Sequence, residues 1–281
     1  MKINSSTKLL GLMIAVNVYP FLYMFLYRSL GERGAEIWQA VSPILVGLFA
    51  LRMAYDVQRH DQQERLVWRL LGAGLGLWTL GEVVWAFLTL VLNAEASPSL
   101  ADVLWVAGYL PLGAAILIHL AWRRKPLNGL RVLLAFAVGA FFFLALFYGV
   151  LQPMFLGDVN WGTALNVLYP ILDVTLAIGA FTILLTLDGR KWWQPWLFIA
   201  IALIMWAYAD AAYAFLIWID AYHASNVGIL TVELPYNAAY ILFGVGCAQA
   251  IAQKDESEAT EPLRASAATS PAPPNTVARH L

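Results

Sequence analysis

An all-α integral membrane protein of eight transmembrane helices, arranged as pseudo-repeated parallel hairpins, is the fold class that this sequence predicts. Three observations predict it. The 281 residues are 61% hydrophobic and 12% charged, against about 45–50% and about 25% in soluble domains. Eight stretches reach the about 20 mostly apolar residues that a bilayer-crossing helix needs: roughly 9–27, 37–55, 70–92, 101–122, 130–151, 162–187, 193–219 and 230–251. Twelve basic residues fall on one side of that layout and only Arg28 and Arg33 on the other, before the C-terminal segment is counted.

Span 1 (9–27) follows Lys2 and Lys8 and could be mistaken for a secretion signal. It is too long for an h-region and lacks a small-residue cleavage pattern, so it reads as a retained helix. Spans 2 (37–55) and 3 (70–92) are joined by a segment holding Arg59 and Arg65, flanked by Arg52 and Arg69. Arg123, Arg124 and Lys125 join spans 4 (101–122) and 5 (130–151), with Arg131 beside them, and Arg190 and Lys191 join spans 6 (162–187) and 7 (193–219). By the positive-inside rule these segments and both termini are cytoplasmic, in a bacterial inner membrane. Span 8 (230–251) closes a transmembrane domain of residues 1–251. Residues 252–281 are rich in Ala, Ser, Pro and Glu without apolar period, and read as a disordered cytoplasmic tail with no catalytic domain after it.

Spans 4, 6 and 8 align without gaps. Asp102, Trp105, Tyr109 and Gly113 match Asn166, Tyr169, Asp173 and Ala177, then Glu233, Tyr236, Tyr240 and Gly244. The spacing i, i+3, i+7, i+11 puts each set on one helix face. The preceding spans align as Trp78, Glu82 and Trp85; Phe141, Ala145 and Tyr148; and Trp206, Asp210 and Tyr213. Span 5 is the weakest member, with Ala145 where the others carry an acid. Each hairpin begins and ends on the basic side, so the units are parallel, related by an axis along the membrane normal.

Ionisable groups inside a span are costly, about 2.5–3.5 kcal/mol on insertion scales, and mark functional sites by default. Glu82, Asp173 and Asp210 are such groups, with Asp102 and Glu233 at outer helix ends. First-turn carboxylates also cap free N–H groups, and that structural role is the simpler one for Asp102 and Glu233. Trp192, Trp193, Trp196 and Trp218 read as interfacial anchors. Trp78, Trp85, Trp105, Tyr109, Tyr169, Tyr213, Tyr236 and Tyr240 share faces with the acids and are pocket candidates. The ligand-binding set is therefore Glu82, Trp85, Asp102, Trp105, Tyr109, Asp173, Asp210, Tyr213, Glu233 and Tyr236. Carboxyls among aromatic rings suit a cation or a flat, hydrogen-bonding organic molecule, and the residues do not choose between them.

Other chemistry finds little support. The single Cys247 allows no disulfide framework. No His pair at i, i+4 lies inside the bundle, so no metal site or haem is expected, and the cofactor is left unknown. No Lys in spans 7 or 8 could carry a retinal Schiff base. GxSxG, Walker, HExxH and CxxC motifs are absent from the sequence. A net charge of −1 speaks against nucleic acid as a partner. The expected partners are the lipid bilayer, a small-molecule ligand and a cytoplasmic or membrane protein.

Gly81-Glu82-Val83-Val84-Trp85, followed by Pro98-Ser99-Leu100-Ala101-Asp102-Val103-Leu104-Trp105-Val106-Ala107-Gly108-Tyr109, resembles the multi-pass N-terminal membrane sensor region of bacterial diguanylate cyclases and sensor histidine kinases. In those a Gly-acid-x-x-Trp helix leads through a short loop into a Pro-Ser-x-Ala-Asp helix ending in Gly-Tyr. The resemblance covers about 30 residues, is carried by Glu82, Trp85, Asp102 and Tyr109, and implies a sensory role. Such regions normally feed a cytoplasmic output domain, so action through a partner is expected here. The competing readings are a transporter, proton-coupled through Glu82, Asp173 or Asp210 with hinges at Pro170 and Pro235, and an accessory subunit of a larger membrane complex. Intramembrane catalysis ranks last, because no nucleophile–base or metal constellation can be assembled.

Overall fold

The computed structural model describes residues 22, 25, 26, 29–60, 64–94, 98–122, 129–152, 161–187, 190–222 and 227–269. Among them every regular element is a helix: α1 (Glu32–His60), α2 (Arg65–Leu90), α3 (Leu100–Trp122), α4 (Gly129–Leu146), α5 (Trp161–Thr186), α6 (Arg190–Trp218) and α7 (Val227–Thr269). A π-helical turn, Phe147–Leu151, continues α4. In a medium with no water to satisfy the backbone, helices that bond internally are the economical solution.

Among the described residues five helical stretches are long and apolar enough to cross a membrane: Arg33–Gln58, Arg65–Leu90, Leu100–Trp122, Trp161–Thr186 and Gln194–Trp218. They correspond to the expected spans 2, 3, 4, 6 and 7. Span 1 lies almost wholly outside the described residues. Span 5 corresponds to α4, whose apolar stretch includes Gly129–Leu144, with the π-helical turn carrying it on to Leu151. Span 8 forms the first part of α7, which does not stop at Ile251 but runs on to Thr269. The boundary expected at residue 252 is thus compositional and not a helix end. Ala, Glu, Gln, Lys and Arg are good helix formers, and they extend a helix already nucleated within the bundle. At about 1.5 Å per residue its 43 residues run well beyond the about 30 Å hydrocarbon core.

Six helices close a ring in the order α1, α2, α3, α5, α6, α7, with α7 returning to α1. The α2–α3, α6–α7, α1–α2, α5–α6 and α1–α7 contacts are extensive, and the α3–α5 seam is the thinnest. α4 stands outside the ring against α5. Leu130, Leu133, Phe136, Phe141 and Phe143 on it are more than half exposed, an apolar surface suited to lipid.

Glycine sets the closest approach in the ring. A methyl group on Gly108 of α3 would collide with the Trp78 indole of α2, and one on Gly81 of α2 would collide with the Trp105 indole of α3. Each indole therefore brings its N–H edge close against a glycine of the other helix, and Trp78 Nε1 donates to the Trp105 carbonyl at 2.8 Å. A continuous core of Trp68, Leu71, Leu75, Leu112, Trp196, Leu203, Trp206, Tyr240 and Phe243 fills the ring below. Pro43, Pro111, Pro170 and Pro195 all lie within helices that continue across them.

Candidate functional site

The C-terminal halves of α2 and α6 and the N-terminal halves of α1, α3, α5 and α7 meet at the end of the ring opposite Arg65 and Arg69. There they enclose a cavity of about 170 Å³. Its depth is set by crossed rings: Trp78 packs edge-on against Trp206 (centroids 4.8 Å) and against Tyr109 (5.0 Å), and Trp206 edge-on against Tyr240 (4.8 Å).

Four of the five carboxyls of the wall are each held by a donor from another element. Tyr236 and Tyr240 of α7 both donate to Glu82 Oε1 of α2, at 2.8 and 3.3 Å. Tyr109 of α3 donates to Asp173 Oδ1 of α5 at 2.7 Å, and Tyr169 of α5 donates back to Asp102 Oδ1 of α3 at 2.8 Å. Tyr222, which follows α6, donates to Glu233 Oε1 at 2.8 Å, and Gln39 of α1 donates to the same oxygen at 3.2 Å. The carboxyls of Asp173 and Asp210 lie in contact with each other.

Asp102 also caps its own helix. Its Oδ2 accepts from the Ser99 backbone N–H at 2.6 Å while Ser99 Oγ accepts from the Ala101 N–H at 3.1 Å, an arrangement close to a capping box. The capping role expected of Glu233 does not hold. α7 starts at Val227, so Glu233 sits in the second turn, past the free N–H groups, and its side chain is taken by Tyr222 and Gln39.

No family model matches this chain, and no curated protein or solved structure is significantly similar to it. Its chemistry is read from the cavity itself.

All ten residues of the expected ligand-binding set, Glu82, Trp85, Asp102, Trp105, Tyr109, Asp173, Asp210, Tyr213, Glu233 and Tyr236, line this one cavity. Trp78, Asn166, Tyr169 and Trp206, named with them from the alignment of spans, line it as well. Tyr240 stands behind the wall, fully buried against Glu82. The span 5 positions differ: Phe141 and Tyr148 are 67% and 64% exposed on the helix outside the ring. Sequence reasoning missed Gln39, Pro43, Tyr222 and Val232. Gln39 was the one with a signal, an amide at the edge of an apolar span.

Among the described residues no Lys, Arg or His lines the cavity, so there its five carboxyls have no basic partner in the wall. Three polar atoms are left over. Trp105 Nε1 and Trp206 Nε1 find no acceptor, and no N–H or O–H donor reaches Asp173 Oδ2, although Asp173 is 1% exposed. At the other end of the ring a separate cluster joins α2, α3 and α6. The fully buried His119 approaches Glu64 Oε2 with Nδ1 at 3.3 Å and lies against Trp196 (4.4 Å), which stacks on Trp68 (6.1 Å). Trp196 is therefore core and not the interfacial anchor expected for it, because Trp68 and His119 cover both sides of its ring. Trp218 is 48% exposed. Among the described residues no group of three or more His, Cys, Asp or Glu could hold a metal ion.

Proposed function

We propose that this chain is a membrane-embedded sensory or ligand-binding module that acts through a protein partner. The observation that carries the reading is the cavity: six helices contribute to one enclosed space, and its wall holds the costly intramembrane acids. Concave, largely aromatic space with a few convergent polar groups is how small-molecule sites are built. The resemblance of residues 81–109 to bacterial membrane sensor regions supports the sensory role.

The basic asymmetry supports termini on the cytoplasmic side of a bacterial inner membrane and a cavity facing outward. The helix order supports eight spans. α3 and α5 both start at the cavity end, so the chain returns between them through α4, and one further crossing over 9–27 brings Lys2 and Lys8 to the side of the other basic loops. The common destination of Asp102, Asn166 and Glu233, and of Glu82 and Asp210, supports the hairpin repeat, with α4 as its diverged member.

Native mass spectrometry of the full chain, extracted in mild detergent, tests the reading. The expected result is a retained small-molecule adduct that disappears in Asn166→Trp, which fills the cavity. Retention of a protein alone would move the accessory-subunit reading to first place. One observation favours the transporter reading: the Asp173–Asp210 contact could carry a proton. Proton-dependent solute flux in proteoliposomes would establish it.

A further inference from the structure

The hydrogen-bond inventory of the cavity specifies the kind of ligand. A tyrosine hydroxyl has one proton to give, and Tyr109, Tyr169, Tyr222 and Tyr236 each give theirs to a carboxyl. What the wall retains for a guest is mostly lone pairs, on these phenols and on the carboxyls. Among the atoms wholly shielded from solvent, Trp105 Nε1 and Trp206 Nε1 have no acceptor and Asp173 Oδ2 has no N–H or tyrosine O–H donor. An anion would meet five carboxyls and, among the described residues, no basic side chain. A neutral apolar guest would leave the lone pairs it covers without a donor, which costs about 1–3 kcal/mol for each buried acceptor.

From this, and resting on the ligand-binding reading, we infer that the cavity takes a protonated organic amine with a body about one aromatic ring in size, its N–H groups on Asp173 and Asp210 and its body among the indoles. Asp173 of α5 and Asp210 of α6 together offer one ammonium a carboxyl from each of two neighbouring helices. Trp78, Trp105 and Trp206 supply the ring faces and edges that attract a desolvated cation. The size follows from the volume: an engineered cavity of about 150 Å³ holds benzene, and this one is about 170 Å³.

Three probes of one shape but different charge decide it: benzylamine, benzyl alcohol and benzoate, titrated at neutral pH into the full chain in nanodiscs and followed by calorimetry. Benzylamine is expected to bind at least about tenfold tighter than benzyl alcohol, as a desolvated cation–π contact alone would give, and benzoate not to bind. Asp173→Asn is expected to remove that preference by lowering benzylamine affinity far more than benzyl alcohol affinity, which a merely structural role, lowering both alike, could not do. Asp210→Asn is the second variant should the first fail to fold. Equal binding of amine and alcohol, or an undiminished preference in the Asn variants, overturns the amine class. If the alcohol or benzoate binds and Asn166→Trp abolishes it, the ligand-binding reading stands without the amine. If none of the three binds, both fall together.

Discussion

Tyrosine is the residue on which the cavity wall depends. A phenol is apolar enough to sit in a span, yet its hydroxyl reaches across to a carboxyl on another helix and satisfies it without a second charge. Glu82 has two such donors, and the nearer is Tyr236 at 2.8 Å. Tyr236→Phe should leave the 3.3 Å bond from Tyr240 as its remaining hydroxyl contact and cost about 1–3 kcal/mol, read as a lower thermal midpoint in mild detergent. Glu82→Gln keeps the shape and the hydrogen-bonding capacity but removes the ionisable group. It should weaken benzylamine binding while leaving the midpoint nearly unchanged. Asp102→Ala removes a cap and the Tyr169 contact together, and should cost about 1 kcal/mol or more.

At the level of helices, α2 and α3 owe their close approach to two glycines facing two indoles. Gly108→Ala would drive a methyl group into Trp78 and should destabilise by about 1–3 kcal/mol, whereas Gly129→Ala, at the open start of α4 where nothing lies within 4 Å, should be near neutral. Comparing the two thermal midpoints checks this. The helices themselves were legible in the sequence, because long apolar runs bounded by charge have few other uses. Glu82, Asp173 and Asp210 were legible for the converse reason: an acid at that depth has no inexpensive explanation. Gln39 was obscure because a neutral amide stands out little. Tyr222 lies outside every span, and its tie to Gln39 crosses 183 positions of sequence, a closure of α1 onto the α6–α7 segment that no local period records. The end of α7 was misread because composition reports which residues bury surface, not where a helix stops.

Among the described residues six helices close a ring, with the acids at one end and Arg65 and Arg69 at the other. With Cys247 replaced by Ser, single cysteines at Ala96 and Gln63 should report opposite sides of the membrane, Ala96 outside and Gln63 inside; membrane-impermeant thiol labelling in intact cells reads this, and the reverse pattern would invert the topology. The His119–Glu64 contact at the basic end, covered by Trp196 and Trp68, ties α2, α3 and α6 together. His119→Ala should open a void there and lower the thermal midpoint, by about 2–5 kcal/mol if the site does not collapse, without changing benzylamine affinity at the far end.

The thin α3–α5 seam is crossed in both directions, Tyr109 to Asp173 and Tyr169 to Asp102. The acids that fasten these two staves together are the same ones that line the cavity. A guest that bonds to those acids competes with the fastening, so occupancy and closure are entries in a single equilibrium. Exchange of the Tyr109 and Tyr169 hydroxyl protons should therefore quicken when benzylamine is present. The place where the ring yields would be next to α4, the one helix whose position the ring does not fix.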